Sequence, residues 1–152
     1  MLGYSRIELP VSGCVHFVRN DDVNGDLREI VAHAKSKGIV CGYLDYMDTR
    51  GVPGHITDHI ARTLKLDNPP YGGAPSPWIP FLDDLITLSD RVDGMALVVD
   101  NAHVFLREDQ NNFFDFIESF LMQLHHWFEK QKPCHLCFQV ERNDLVRQAF
   151  AG

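Results

Sequence analysis

Three aspartates stand where apolar runs of this sequence give way to polar residues. Asp45 and Asp48 follow one run, and Asp100 closes the run Leu97-Val-Val-Asp-Asn101. Open α/β sheets bind ligands at the carboxyl ends of their strands, where carboxylates suit a hard divalent cation. With His103 nearby as a base, this set makes a metal-dependent phosphate-handling enzyme an alternative function. The competing interpretation is that Asp and Asn are common wherever a strand becomes a loop.

Two further motifs lack a part that their chemistry needs. No G-x-x-x-x-G-K-[ST] loop accompanies Asp100, so nucleotide hydrolysis of the P-loop type is disfavoured. Cys134-His-Leu-Cys137, with His125 and His126 upstream, offers thiols and imidazoles to zinc. In a strand, however, positions three apart point to opposite faces, so we expect two packed cysteines and no metal or other cofactor.

A third pattern suits recognition better than catalysis. The segment 69–88 carries Tyr71 and Trp78 on a loop rich in proline and glycine, and then Asp83 and Asp84 on a short helix. Tyr and Trp often anchor interfaces, and carboxylates suit a basic partner that normally grips phosphates. The rings could equally pack inward, and the carboxylates could be a solvated first helical turn that the helix dipole favours.

Composition is typical of one globular domain. The chain has 152 residues, of which 45% are hydrophobic and 23% charged, and no apolar run approaches the length of a membrane span. The start lacks a signal-peptide pattern, and the four cysteines lie mostly within apolar runs, so the expected compartment is the cytoplasm. A formal charge of -7 disfavours direct nucleic-acid binding and permits a cationic protein partner.

Hydrophobic periodicity predicts strands alternating with amphipathic helices. The predicted strands cover 14–19, 39–46, 95–100 and 135–140. Five helices are predicted: one that opens at Asp21 or Asp22, one over 56–64, one that starts at Pro80, one over 109–130 and one over 144–150. This order predicts an α/β layered fold with a mostly parallel sheet of three to four strands packed with helices. The expected domain is 1–152, with 1–37 as an N-terminal β-α extension.

The same periodicity predicts which faces are buried. In the helix after the loop, Asp83, Thr87 and Asp90 should face water with Asp84 beside them. The longest helix should be heavily buried along a wide apolar stripe formed by Phe113, Phe116, Ile117, Phe120, Leu121, Leu124, Trp127 and Phe128.

The layout of residues 38–140 resembles the barstar family of cytoplasmic ribonuclease inhibitors. Family members have a strand, a helix ending in an apolar-Leu pair, a P-x-Y-G turn, a helix written N-W-D-A-L-x-D-x-L-x-D-L, an apolar strand, a long helix with a late Trp, and a last apolar strand. The corresponding residues here are Leu64 and Leu66, Pro70-Tyr71-Gly72, Pro77 to Leu85, Ala96 to Ala102, Trp127, and His135 to Val140. The segment from Gly13 to Gly38 is similar to the extension of longer barstar-like proteins.

Several positions depart from that family pattern. Ile79 stands where the family has the first of two aspartates that enter the ribonuclease active site, and Asp83 keeps the second. The family's Asn and Ala are replaced by Pro77 and Pro80. Because a residue before proline is biased away from helical angles, we expect the helix to start at Pro80 and the preceding loop to be reshaped.

The resemblance implies an inhibitor or immunity protein that binds a nuclease or other toxin and occludes its basic active site. It implies no enzymatic turnover, no membrane and no direct nucleic-acid contact, with the chain acting as a monomer or in a 1:1 complex. The alternatives are the metal-dependent enzyme and a non-inhibitory protein-interaction module. The predicted partner-binding residues are Tyr71, Gly72, Trp78, Ile79, Asp83, Asp84 and Asp90.

Overall fold

The architecture was obtained as a computed structural model that describes Tyr4, Ile7, Glu8 and residues 15–18 and 27–151. The predicted start of the first helix, at Asp21 or Asp22, lies outside these residues, and the described part of that helix begins at Leu27. In chain order the described elements are β1 (Val15–Val18), α1 (Leu27–Ser36), β2 (Ile39–Asp45), a 3-10 helix (Tyr46–Thr49), α2 (Ile56–Thr63), α3 (Trp78–Arg91), β3 (Gly94–Asp100), α4 (Ala102–Glu108), α5 (Gln110–Glu129), β4 (Cys134–Gln139) and α6 (Asp144–Ala151).

The four described strands form one parallel sheet in the order β1-β4-β3-β2. Every residue of β3 and β4 is buried, as expected for strands in the middle of a parallel sheet that is covered on both faces. The predicted α/β class with a mostly parallel sheet is therefore confirmed. β1 adds to the sheet beside β4 and β2 forms the opposite edge.

Helices cover both faces of the sheet and create two hydrophobic cores. The larger core lies between the sheet and α2, α3, α4 and α5, and it contains Phe81, Phe116 and Trp127. The smaller core lies on the other face, where Val31 of α1 and Val146 of α6 pack on residues of the strands. The described elements thus form three layers, with helices on each side of the sheet.

Helix α2 approaches β2 closely at Gly42. A Cβ atom added to Gly42 of β2 would lie 2.8 Å from Thr63 Cγ2 and 3.3 Å from a methyl carbon of Leu64. Glycine therefore lets α2 sit directly on the strand. At its start α2 is capped by His55, whose ring accepts from the backbone N–H of Thr57, while Asp58 accepts from the backbone N–H of His55.

Three sequence expectations about elements were wrong. α3 begins at Trp78 and not at Pro80, because Pro77 already has helical angles. Helix α4 was not predicted, because its seven residues are too few to show a clear period. In α5, Leu121 and Phe128 are exposed although they belong to the predicted buried stripe.

Other predicted boundaries agree with the structure to within a residue or two. Strands β2, β3 and β4 and helices α2, α5 and α6 occupy their predicted segments. Within the described residues, no helix is both long and apolar enough to cross a membrane.

Candidate functional site

The loop before α3 is tied to the body of the protein through Tyr71. Its hydroxyl donates to Asp84 Oδ2 at 2.6 Å, and its backbone N–H donates to Asp58 Oδ1 at 2.8 Å. Asn68 donates to the other oxygen of Asp84 at 2.7 Å. Burial and the hydrogen bond to Asp84 raise the pKa of Tyr71, so its hydroxyl stays a donor. Two buried carboxylates thus fix the conformation of this loop.

Trp78 is also directed into the protein. Its ring stacks on Phe116 of α5 with centroids 5.7 Å apart, lies edge-on to Phe81 at 5.6 Å, and its Nε1 donates to Asn112 at 3.1 Å. The prediction that Tyr71 and Trp78 offer exposed rings to a partner is wrong, because both side chains are buried in the larger core.

Asp84 is likewise buried, and the expectation that it faces water is wrong. Asp84 lies on the flank of α3 that meets the Tyr71 loop, where Tyr71 and Asn68 satisfy both of its oxygens. Because α3 starts at Trp78, neither Asp83 nor Asp84 belongs to the first turn, and the helix dipole does not explain them.

The outer face of α3 carries the remaining predicted residues. Ile79, Asp83, Ile86 and Asp90 follow one another at intervals of three or four, so they form one line along the helix. We call this line the α3 ridge. Ile79 is 62% exposed, Asp83 and Asp90 are exposed, and Ile86 is half-buried. Gly72 is exposed in the loop that leads to the ridge.

The two carboxylates of the α3 ridge differ in their electrostatic surroundings. Asp90 accepts a hydrogen bond from Lys130, which follows α5, and this contact lowers the pKa of Asp90. Asp83 has no ion pair with a described residue, and its neighbours along the ridge are isoleucines. The negative charge at the N-terminal half of the α3 ridge is therefore uncompensated, whereas the charge at its C-terminal end is paired.

A second polar cluster lies at the carboxyl ends of β2 and β3. Asp45 and Asp100 pair in the sheet, and both side chains are buried. Asn101, whose φ of 53° is left-handed, donates its side-chain amide to Asp45 Oδ1 at 2.8 Å. Asp100 accepts from the hydroxyl of Tyr43 and from the backbone N–H of Asn143. These contacts join the two strand ends to the segment before α6.

Arginine side chains occupy the position where a cation would be needed in this cluster. Asp45 Oδ2 accepts no hydrogen bond in the described part of the chain, and it lies 3.8 Å from Arg142 Nε and 3.8 Å from Arg147 Nη1. Arg147 also pairs with Asp48 at 3.3 Å. Among the described residues, no three acidic, histidine or cysteine side chains could hold a metal ion together. The alternative of a metal site formed by Asp45, Asp48 and Asp100 is therefore contradicted among the described residues.

The pKa values in the strand-end cluster are moved by burial. Burial raises the pKa of Asp100 above that of an ordinary aspartate, with a smaller contribution from the charge of Asp45. Hydrogen bonds from Tyr43, Asn143 and Asn101 oppose this rise without cancelling it. The pKa of Tyr43 is raised by its own burial and by its hydrogen bond to Asp100.

The cysteine pair of β4 is packed as the sequence predicted. Cys134 lies in the larger core and Cys137 in the smaller one, so the two thiols point to opposite faces of the sheet. Burial raises the pKa of Cys137, which disfavours the thiolate that a metal would require.

Comparison with protein-family models, with curated proteins and with solved structures gives no match for this chain. The fold and its surfaces define an α/β protein with a three-layer arrangement and an exposed acidic and apolar helix face. Its function is therefore argued from the chemistry of those surfaces.

Several residues of these sites were not found from the sequence. Ile86 could have been found, because it continues the spacing of Ile79 and Asp83 by one helical turn. Arg147 gave no signal, since it lies 99 positions after its partner Asp48. Asp58 was also missed, because its bond to Tyr71 crosses from α2 to a loop of irregular structure.

Proposed function

We propose that this chain is a barstar-like binding protein that neutralises a nuclease or another toxin by occluding a basic active site. The observation that carries this proposal is the α3 ridge, where exposed Ile79 and unpaired Asp83 stand one turn apart on a helix whose inner face is fixed by Trp78. A rigid, exposed pair of an apolar and an acidic residue suits a cationic groove.

The order of elements from β2 to β4 supports the proposal. After β2 and α2 come the Tyr71-Gly72 turn, α3, the buried strand β3, the long helix α5 with Trp127 near its end, and the buried strand β4. Apart from α4, which stands between β3 and α5 and has no counterpart in the family layout, this order of elements is the one that the resemblance to the barstar family implies. Fold resemblance does not determine function, so the argument rests on the α3 ridge.

The proposed mechanism requires no chemistry by this chain. Toxin side chains that bind the phosphates of the substrate would contact Asp83 and the exposed backbone at Gly72 in place of those phosphates, while Ile79 excludes water from the contact. Asp90 contributes less, because Lys130 already neutralises it. Tyr71, Trp78 and Asp84 act indirectly by holding the loop and α3 in place. The complex would contain one copy of each protein and form in the cytoplasm.

The proposal is tested by calorimetric titration of this protein against the catalytic domain of a toxin encoded beside it. Ile79→Ala should weaken binding by about 2 kcal/mol, because it truncates an interface anchor. Asp83→Lys should also slow association, because it replaces attraction with repulsion. Glu29→Lys is the matched control, since it makes the same charge change on α1, which lies on the other side of the sheet.

The outcomes separate the alternatives. If Ile79→Ala and Asp83→Lys bind as the wild type does, the α3 ridge is not the binding surface. If binding is tight but the toxin keeps its activity in the complex, the chain is a non-inhibitory interaction module. If the toxin does not bind at all, the immunity function is wrong.

A further inference from the structure

Helix α5 carries a line of apolar side chains, most of which are exposed or only half-buried. Phe114, Ile117, Leu121, Leu124 and Phe128 recur at alternating intervals of three and four, which is the spacing of a helix-packing seam. Leu124 is buried and Ile117 is half-buried, but Phe114, Leu121 and Phe128 are 52%, 51% and 41% exposed. The line spans about 21 Å, or four helical turns.

This line lies on the flank of α5 that faces away from α3. Asn112 and Phe116 contact α3 through Trp78, and Leu121 projects from the opposite side of α5 by the geometry of the helix. Below that flank lies β1, whose Phe17 stacks on Phe138 at 5.5 Å but is 64% exposed. Phe138 in turn packs against Phe113 and Phe116 of α5.

The exposed apolar side chains of α5 and Phe17 of β1 therefore lie on the same face of the sheet, on the side of α5 that faces away from α3. The other strands of the sheet have helices packed on this face, whereas Phe17 at the β1 edge is left open by the described residues. A further helix lying over β1 and against α5 would complete the helical layer. Contiguous exposed apolar patches often mark interaction surfaces.

Charge restricts what can bind this exposed apolar surface. Helix α5 contains no lysine or arginine in its 20 residues, and Asp115, Glu118 and Glu129 are exposed on it. A second copy of this chain would bring like charges together, and an anionic membrane surface would repel the same carboxylates. A helix with an apolar stripe and flanking cations matches both the apolar line and the carboxylates of α5.

We propose that the α5 seam, defined as Phe114, Ile117, Leu121, Phe128 and the adjacent Phe17, binds a cationic amphipathic helix of another protein. This surface lies on the opposite flank of α5 from the α3 ridge. It does not depend on the toxin-binding function, so the protein can engage two partners at once.

The test uses a labelled synthetic helix of about 21 residues with leucine at the heptad a and d positions and lysine and alanine elsewhere. Fluorescence anisotropy should detect binding to the full chain, and Leu121→Ser should weaken it about tenfold. Met122→Ser is the matched control, because Met122 is an equally exposed neighbour on another flank of α5, and it should change binding less than about twofold. Ile79→Ser should have no effect, which separates this surface from the α3 ridge.

A charge-reversed pair checks the electrostatic part of the proposal. A peptide with glutamate in place of lysine should bind at least tenfold more weakly than the lysine peptide. Because Glu118 is exposed, Glu118→Lys should reduce the difference in affinity between the two peptides without disturbing the core. Equal effects of Leu121→Ser and Met122→Ser, equal binding of the two peptides, or no binding would overturn the proposal. Sedimentation that shows a wild-type dimer dissociated by Leu121→Ser would assign the seam to a second copy instead.

Discussion

At the scale of single residues, two hydrogen bonds from tyrosine hydroxyls to buried carboxylates fix the regions that position the candidate surfaces. Tyr71 donates to Asp84, and Tyr43 donates to Asp100. Each pair places an acceptor-only carboxylate in a buried setting, where an unmade hydrogen bond is costly. The pairs stabilise the loop before α3 and the ends of two strands, which are the regions that position the candidate surfaces.

Tyr71→Phe should lower the free energy of unfolding by about 2 kcal/mol, because it removes one donor from buried Asp84. Urea denaturation followed by circular dichroism measures this change. Tyr46→Phe is the matched control: the Tyr46 ring stacks on Phe105, and its hydroxyl bonds to no described residue. A loss no greater than that of the control would mean that the Tyr71 hydroxyl does not hold the loop.

The raised pKa of Asp100 predicts a defined pH dependence of stability. The folded state binds the Asp100 proton more tightly than the unfolded state does, so this contribution is fully present below the ordinary aspartate pKa of about 4. It declines as pH rises through the folded-state pKa. The difference in unfolding free energy between wild type and Asp100→Asn should therefore fall with rising pH and then level off.

Urea titrations of both proteins at a series of pH values measure that difference. Titrating groups remote from Asp100 are common to the two proteins and cancel in this difference. A difference that grows as pH rises would show that the hydrogen bonds to Asp100 outweigh its burial.

At the scale of elements, the contact of α2 with β2 depends on Gly42. Gly42→Ala should destabilise the protein by about 1–3 kcal/mol, because the new methyl group would overlap Thr63 and Leu64. Gly72→Ala is the matched control, since a Cβ atom there meets nothing within 4 Å, and its effect should stay within about 0.5 kcal/mol. Thermal unfolding of the two variants provides the comparison, and equal losses would contradict the packing argument.

Helix α3 shows how far an element can be predicted from its sequence. The period placed Phe81, Leu85 and Leu88 inside and Asp83 outside, as the structure confirms. It placed Asp84 wrongly beside the water-facing residues, because Asp84 lies at the boundary between the two faces and is buried. The hydrogen bond from Tyr71 makes burial of that carboxylate favourable, and this bond joins segments whose relative position the period does not describe.

At the scale of the whole molecule, the candidate surfaces lie on separate parts of one rigid scaffold. The α3 ridge and the α5 seam are held by packing between α3 and α5, through Trp78 and Phe116 at one end and Lys130 and Asp90 at the other. The net charge of -7 gives both surfaces a common preference for cationic partners. The strand-end cluster is closed by Arg142, which precedes α6, and by Arg147 of α6, and it joins α6 to the sheet.

The amino-acid sequence by itself determined the α/β class, the segments of the four described strands, the positions of most helices and the exposure of Asp83 and Asp90. These properties depend on local periodicity, which the chain carries without reference to its folded form. The tertiary structure alone decided that Tyr71 and Trp78 point inward, that Arg147 reaches Asp45 and Asp48, and that Leu121 stays exposed. The physical reason is that periodicity identifies residues sharing a face, whereas burial also requires another element to cover that face.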